Sequence, residues 1–210
     1  MHARVAAFEN PRFDDPSLVD DLSKRARESA PRWQESLRSA LGHLMLVDRE
    51  NKRSLGITFF PSESEIRESE PVFERMGDEI PEEQRGRRTS VNVYEVAISE
   101  AGEKPKFARV SRLESDPKMI DEATKTSVEK ILPQARKLPG FVGAYGMIDR
   151  SKGRTLLITL WESAEKMRDS EQQAEKLRKE SAEAGRGRVV GVERYEVMFA
   201  QVPAQVGASR

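Results

Sequence analysis

The sequence has no cysteine. That removes disulfides, thiolate nucleophiles and sulfur-ligated zinc or iron in one step. Histidine is almost as scarce: His2 and His43 are the only two, so a metal would depend on these and on carboxylates. Aromatic side chains make up 6% of the 210 residues, with Trp33 and Trp161 the only tryptophans. Neither sign of charge is in excess, because 36 basic and 36 acidic side chains cancel. No global field therefore draws in nucleic acid or an anionic membrane. Nowhere do 18 apolar residues run together, and Met1 to Val5 hold no apolar stretch of signal-peptide length. These absences predict a cytoplasmic protein with no nucleic-acid and no membrane partner.

What the chain does contain is a second copy of itself. Asp48-Arg49 recurs as Asp149-Arg150, Ile57-Thr58 as Ile158-Thr159, Arg85-Gly86-Arg87 as Arg186-Gly187-Arg188, and Tyr94-Glu95-Val96 as Tyr195-Glu196-Val197, always 101 positions apart. A constant spacing over four separate elements marks two copies of one supersecondary unit. The predicted organisation is a first repeat over 1–98, a linker over 99–106, a second repeat over 107–200 and a flexible tail over 201–210.

Within each copy the hydrophobic period changes in the order strand, helix, strand, strand, helix, strand. Asp15-Pro16 and Asp116-Pro117 place an N-cap carboxylate before a proline at the first helical position, where its missing N–H costs nothing. Pro31 and Pro133 lie inside the first helices and predict a kink in each. Ser62 and Glu65 have capping-box spacing at the start of the second helix, and Ser163 matches Ser62 in copy two. Copy one carries four extra residues between strand and helix, within 9–14, expected to form a surface loop.

This element order is the split βαβ, or ferredoxin-like, plait: an α+β unit with a four-stranded antiparallel sheet and both helices on one face. The third strand is nevertheless apolar on both faces. Leu55, Ile57 and Phe59 oppose Phe60, and Leu156, Ile158 and Leu160 oppose Leu157 and Trp161. Each large apolar side chain left in water forfeits roughly 1.5–3 kcal/mol, so the bare face needs a cover. The nearest one is the tethered duplicate, which predicts two sheets packed face to face as a single-chain dimeric α/β barrel. Such an internal pseudo-dimer leaves further homodimerisation open.

The segments Leu46-Val47-Asp48-Arg49 with Ile57 to Phe60, and Met147-Ile148-Asp149-Arg150 with Ile158 to Ser163, resemble the antibiotic-biosynthesis-monooxygenase-like group. The acidic second helix, Val192 to Val197 and Leu138-Pro139-Gly140-Phe141 are similar to that group as well. The resemblance covers both copies and implies the dimeric α/β barrel fold. It also implies a range of activities, from cofactor-free oxygenases of polycyclic aromatics through haem-degrading enzymes to small isomerases. Haem-degrading members use a second-helix histidine with an asparagine and a tryptophan nearby, and neither 62–85 nor 163–184 contains any of the three. Neither haem nor another cofactor is expected. Oxygenase members share an asparagine four residues ahead of a tryptophan closing the third strand, where this chain has Leu157 ahead of Trp161.

Among single residues, His43 is the candidate catalytic group. It lies mid-strand among apolar neighbours, and its counterpart in copy two is Ala144. A neutral imidazole there suits a general base, while a core histidine bonded to the backbone is the plainer alternative. Trp33 and Trp161 are candidate stacking surfaces for a planar ligand, and Tyr145 a candidate hydroxyl donor, each in competition with ordinary core packing. Tyr94 and Tyr195 share one slot and are read as structural. Arg4 and Arg109 are expected either to reach a ligand carboxylate or to pair with Glu95 or Glu196. Two functional readings remain. The first is a monooxygenase-like protein that binds a small hydrophobic or aromatic molecule between sheet and helices and oxidises it without a cofactor. The second is a non-catalytic binding or scaffold protein with a degenerate site.

Overall fold

The computed structural model describes residues 1–100, 102 and 104–201. The strands are β1 (His2–Glu9), β2 (Gly42–Asp48), β3 (Arg53–Phe60), β4 (Arg87–Glu100), β5 (Phe107–Glu114), β6 (Phe141–Asp149), β7 (Arg154–Trp161) and β8 (Arg188–Gln201). They hydrogen-bond in the closed order β1-β3-β2-β8-β5-β7-β6-β4, an antiparallel barrel built from two ferredoxin-like repeats. The helices are α1 (Pro16–Ser36), α2 (Glu63–Asp78), α3 (Glu82–Arg85), α4 (Ile120–Thr126), α5 (Leu132–Ala135), α6 (Ala164–Asp169) and α7 (Glu171–Ala184).

The chain divides into two compact units. Unit 1 comprises Met1–Tyr94 together with 195–201, and unit 2 comprises Glu95–Arg194. The cut passes through the middle of β4 and of β8. Each is 14 residues long, against eight for β1, β3, β5 and β7. At about 3.3 Å per residue such a strand outruns the sheet it begins in, and its second half completes the other unit. In unit 1, β2 pairs with the end of β8 from Val47 opposite Glu196 to His43 opposite Gln201. In unit 2, β6 pairs with the end of β4 from Ile148 opposite Glu95 to Ala144 opposite Glu100. Each unit therefore has five strands where one repeat alone supplies four. Of the expected linker, 99 and 100 belong to β4, and 101 and 103 lie outside the described residues, as does the expected tail from 202 onward.

The caps form as their chemistry dictates. Ser17 N–H donates to Asp15 Oδ1 at 3.0 Å and Lys118 N–H to Asp116 Oδ1 at 2.9 Å. Ser62 Oγ accepts from Glu65 N–H at 3.4 Å as the N-cap, and its hydroxyl donates to Glu65 Oε2 at 2.9 Å. The two internal prolines behave differently. Pro31 sits inside an unbroken α1, whereas Pro133 follows a π-helical turn over Ser127–Ile131, where the chain adds a residue before the ring removes a donor. The insertion is an exposed turn at Pro11, Arg12 and Asp14, but two of its side chains face inward. Asn10 and Phe13 within it are buried, with Asn10 Nδ2 donating to the carbonyls of Glu83 and Gln84 and Phe13 packed on Leu18, Val19, Leu22, Val47 and Met198.

Candidate functional site

Unit 1 contains a cavity of about 680 Å³. Arg4, Phe8, His43, Met45, Gly56, Thr58 and Met198 line it from the sheet, and Leu22, Ala26 and Trp33 line it from α1, with Leu37 at the helix's C-cap. Phe73, Met76 and Gly77 of α2, with Ile80 and Phe13, complete the apolar wall, and Arg25, Arg32, Arg85 and Asp78 stand among the polar lining. The void identified in unit 2 is about 30 Å³, enough for a single water.

Comparing the copies position by position explains the difference. Gly56 corresponds to Leu157 and Gly77 to Arg178. A Cβ added to Gly56 would meet only Phe8 Cε2, at 3.9 Å, and one added to Gly77 would meet nothing within 4 Å. Copy two fills both places: Leu157 borders the small void, and the Arg178 side chain is buried. Phe13 belongs to the insertion that copy two lacks. Alignment of the two copies carries this signal, a glycine in one against a leucine or an arginine in the other, whereas neither glycine taken singly marks a cavity.

His43 and Trp33 meet in the cavity. Their rings are edge to face with centroids 6.0 Å apart, and Phe199 backs Trp33 at the same distance. His43 Nδ1 shares a hydrogen bond of 3.2 Å with Thr58 Oγ1, while Nε2 has no partner among the described residues. Burial pushes the His43 pKa from 6.5 down to about 4, so the ring is neutral at pH 7 and able to accept a proton or hydrogen bond. A depressed histidine pKa has a stability signature. Between 6.5 and about 4 the unfolded chain binds the proton more readily, so stability is complete above that window and falls as pH drops through it. Urea unfolding should show wild type losing up to about 1.4 kcal/mol per pH unit more than His43→Ala in this range. Parallel loss in both proteins would mean that the imidazole is not the group responsible.

The other two candidates lie in unit 2, away from this cavity. Tyr145 is fully buried on β6, and burial drives its phenol pKa upward. Trp161 is buried with its Nε1–H donating to Thr159 Oγ1 at 3.0 Å, Phe141 edge-on at 5.9 Å and the Arg109 guanidinium 5.1 Å from its ring centre. Both Tyr94 and Tyr195 are buried.

Arg4 and Arg109 do not pair with Glu95 or Glu196, which bind Arg150 and Arg49 instead. They reach across to the second helices. Arg4 holds Glu70 through two bonds of 2.8 and 3.0 Å and covers Phe73 at 4.0 Å, and Arg109 pairs with Glu171 at 3.0 Å. Glu70 and Glu171 are themselves 101 residues apart, so this matched pairing was legible in the repeat. For Arg4 the helix carboxylate takes both Nε and Nη2 at once, whereas Arg109 meets Glu171 through Nη2 alone.

No protein-family profile and no curated protein matches the sequence. Solved structures do. An anthrone oxidase-like protein aligns over 100% of this chain and 96% of its own, with a TM-score of 0.64 at 13% identity. A candidate monooxygenase of Fusobacterium nucleatum subsp. nucleatum aligns over 96% and 94%, with a TM-score of 0.65 at 14% identity. A heme-degrading enzyme of Listeria monocytogenes aligns over 93% and 99%, with a TM-score of 0.54 at 11% identity. The chain thus has the fold of the monooxygenase-like α/β barrels. At such identities the likeness establishes the fold, and the chemistry has to come from the cavity. No helix among the described residues is long and apolar enough to cross a membrane.

Proposed function

We propose that the protein binds a small, largely apolar aromatic molecule in the unit 1 cavity and oxidises it with dioxygen in the manner of a cofactor-independent monooxygenase. The observation that carries this reading is the cavity of about 680 Å³ in which Trp33 offers a ring face or edge and His43 an uncommitted nitrogen. A volume of this order, apolar with a few polar groups, suits a molecule of two or three fused rings. In the reaction, a ring CH₂ and O₂ become C=O and water, and neutral His43 takes the proton that leaves the activated carbon. Arg4 stays paired to Glu70 and shapes the polar end.

Heme-degrading chemistry does not fit these residues. The helix that would present the iron ligand, α2, has no histidine, and the imidazole of the cavity stands on the sheet wall, on β2. A second reading, binding without turnover, draws support from the third strands, where the place of the asparagine that oxygenase members carry is held by Leu157 in copy two and by Gly56, which lines the cavity, in copy one.

Trp161→Phe, which installs the residue type of its counterpart Phe60, leaves Trp33 as the sole indole reporter. Hydroxyanthraquinone dye should quench its emission saturably, and failure to saturate would remove the ligand from the proposal. Oxygen uptake with anthrone should be lost in His43→Ala. Uptake no faster than that of anthrone alone leaves the binding reading, and catalysed uptake retained in His43→Ala removes the imidazole as the base.

A further inference from the structure

Unit 2 gathers three guanidiniums around one carboxylate. Glu171, at the start of α7, pairs with Arg109 at 3.0 Å, with Arg194 at 3.1 Å and with Arg178. Three cations against one anion leave a surplus of two positive charges. The Arg109 side chain is 2% exposed and that of Arg178 7%, while Arg194 at 50% and Glu171 at 30% carry the cluster out to solvent. The remaining acceptors are neutral: the Met167 carbonyl and the Ser170 hydroxyl, the latter at 3.0 Å from Arg109 Nη2. Glu175, one turn further along α7, is taken by Lys179 at 2.7 Å.

Three buried guanidinium nitrogens, Arg109 Nε and Nη1 and Arg178 Nη1, have no hydrogen-bond partner among the described residues. The Trp161 ring faces Arg109 but brings no net charge. Burial, opposed by Glu171 and reinforced by the two neighbouring arginines, brings the Arg109 pKa down to about 10. Surplus buried charge with unmade hydrogen bonds is among the most costly arrangements a fold can hold unless a counter-ion completes it.

Copy one supplies an internal control. There Arg4 and Glu70 pair one to one, and the positions of Arg178 and Arg194 are Gly77 and Val93. Both extra cations in copy two converge on the same carboxylate. We propose that Arg109, Arg178 and Arg194 form a binding site for a phosphate-class dianion. Its charge matches the surplus of two, and its oxygens accept the paired N–H groups that guanidinium forks present. The site opens on the side of the half-exposed Arg194 and is independent of the cavity in unit 1.

Thermal unfolding at pH 8 with inorganic phosphate, against sodium chloride of equal ionic strength, tests the assignment. Phosphate at ten times its Kd should raise the Tm of wild type by about 3 °C more than chloride does. Arg194→Gln should fold, since its side chain is half in water, and should lose most of that difference. Arg178→Gln, if it folds, should lose all of it. A wild-type response no larger than that to chloride, or a full response retained in Arg194→Gln, would overturn the site.

Discussion

Gly56→Leu is expected to weaken aromatic-ligand binding by roughly tenfold to a hundredfold while leaving the fold intact, the 1–3 kcal/mol that overpacking an occupied space costs. Leucine is what copy two carries at this position, on a strand of the same register, and the added Cβ has only Phe8 Cε2 within 4 Å, at 3.9 Å. The side chain enters the cavity beside His43 and Trp33, which also line it. Apolar burial of about 1.5–3 kcal/mol offsets what little rearrangement Phe8 requires, so stability should hold or rise. Gly77→Ala is the companion control. It adds one methyl group to open space near the end of α2 and removes a helix glycine, so unfolding should become harder by about 0.5–1 kcal/mol with little change in affinity. Titration of Trp33 fluorescence reads the affinity, and urea unfolding reads the stability. Undiminished binding in Gly56→Leu would place the ligand elsewhere.

The largest loss of stability is expected from Glu171→Leu. That change strands Arg109, with its side chain 2% exposed, and Arg178, at 7%, with no carboxylate at all. Removing one partner of a buried pair costs about 3–5 kcal/mol, a large part of the 5–15 kcal/mol that holds a domain together. Acid should reproduce the effect. Burial pushes the Glu171 pKa up, but the Arg178 hydrogen bond and the charges of Arg109, Arg178 and Arg194 outweigh it and hold the carboxyl below its ordinary 4.5. A depressed carboxylate contributes its stability above the unfolded value and loses it as pH falls through the folded one. Chemical denaturation at pH 7 compares Glu171→Leu with wild type. A difference below about 1 kcal/mol would show that the arginines escape to water when the carboxylate is removed.

Much of the fold was legible because the copies repeat the same caps, turns and alternations at one spacing. Asp15-Pro16 and Asp116-Pro117, Ser62 and Ser163, and the doubly apolar third strands all act through contacts a few residues away or through a strand period of two. The exchange of β4 and β8 was not legible, because nothing local in Arg87–Glu100 records that its second half pairs with β6. Burial of Phe13 was missed for the opposite reason. Length differences between copies are cheap on a surface, and only the packing of Phe13 on Leu18, Val47 and Met198 shows that this one faces inward. His43 and Trp33 were legible as unusual residues, but their meeting in one cavity depends on α1 lying over β2.

Duplication within one gene has a consequence for how such a site evolves. In a symmetric homodimer a single codon serves both pockets, so a leucine or arginine that plugged one would plug its mate. Here Gly56 and Leu157, and likewise Gly77 and Arg178, answer to separate codons. One half was free to keep a vacancy while the other traded it for a filled interior, and titration should accordingly find a single aromatic guest per polypeptide.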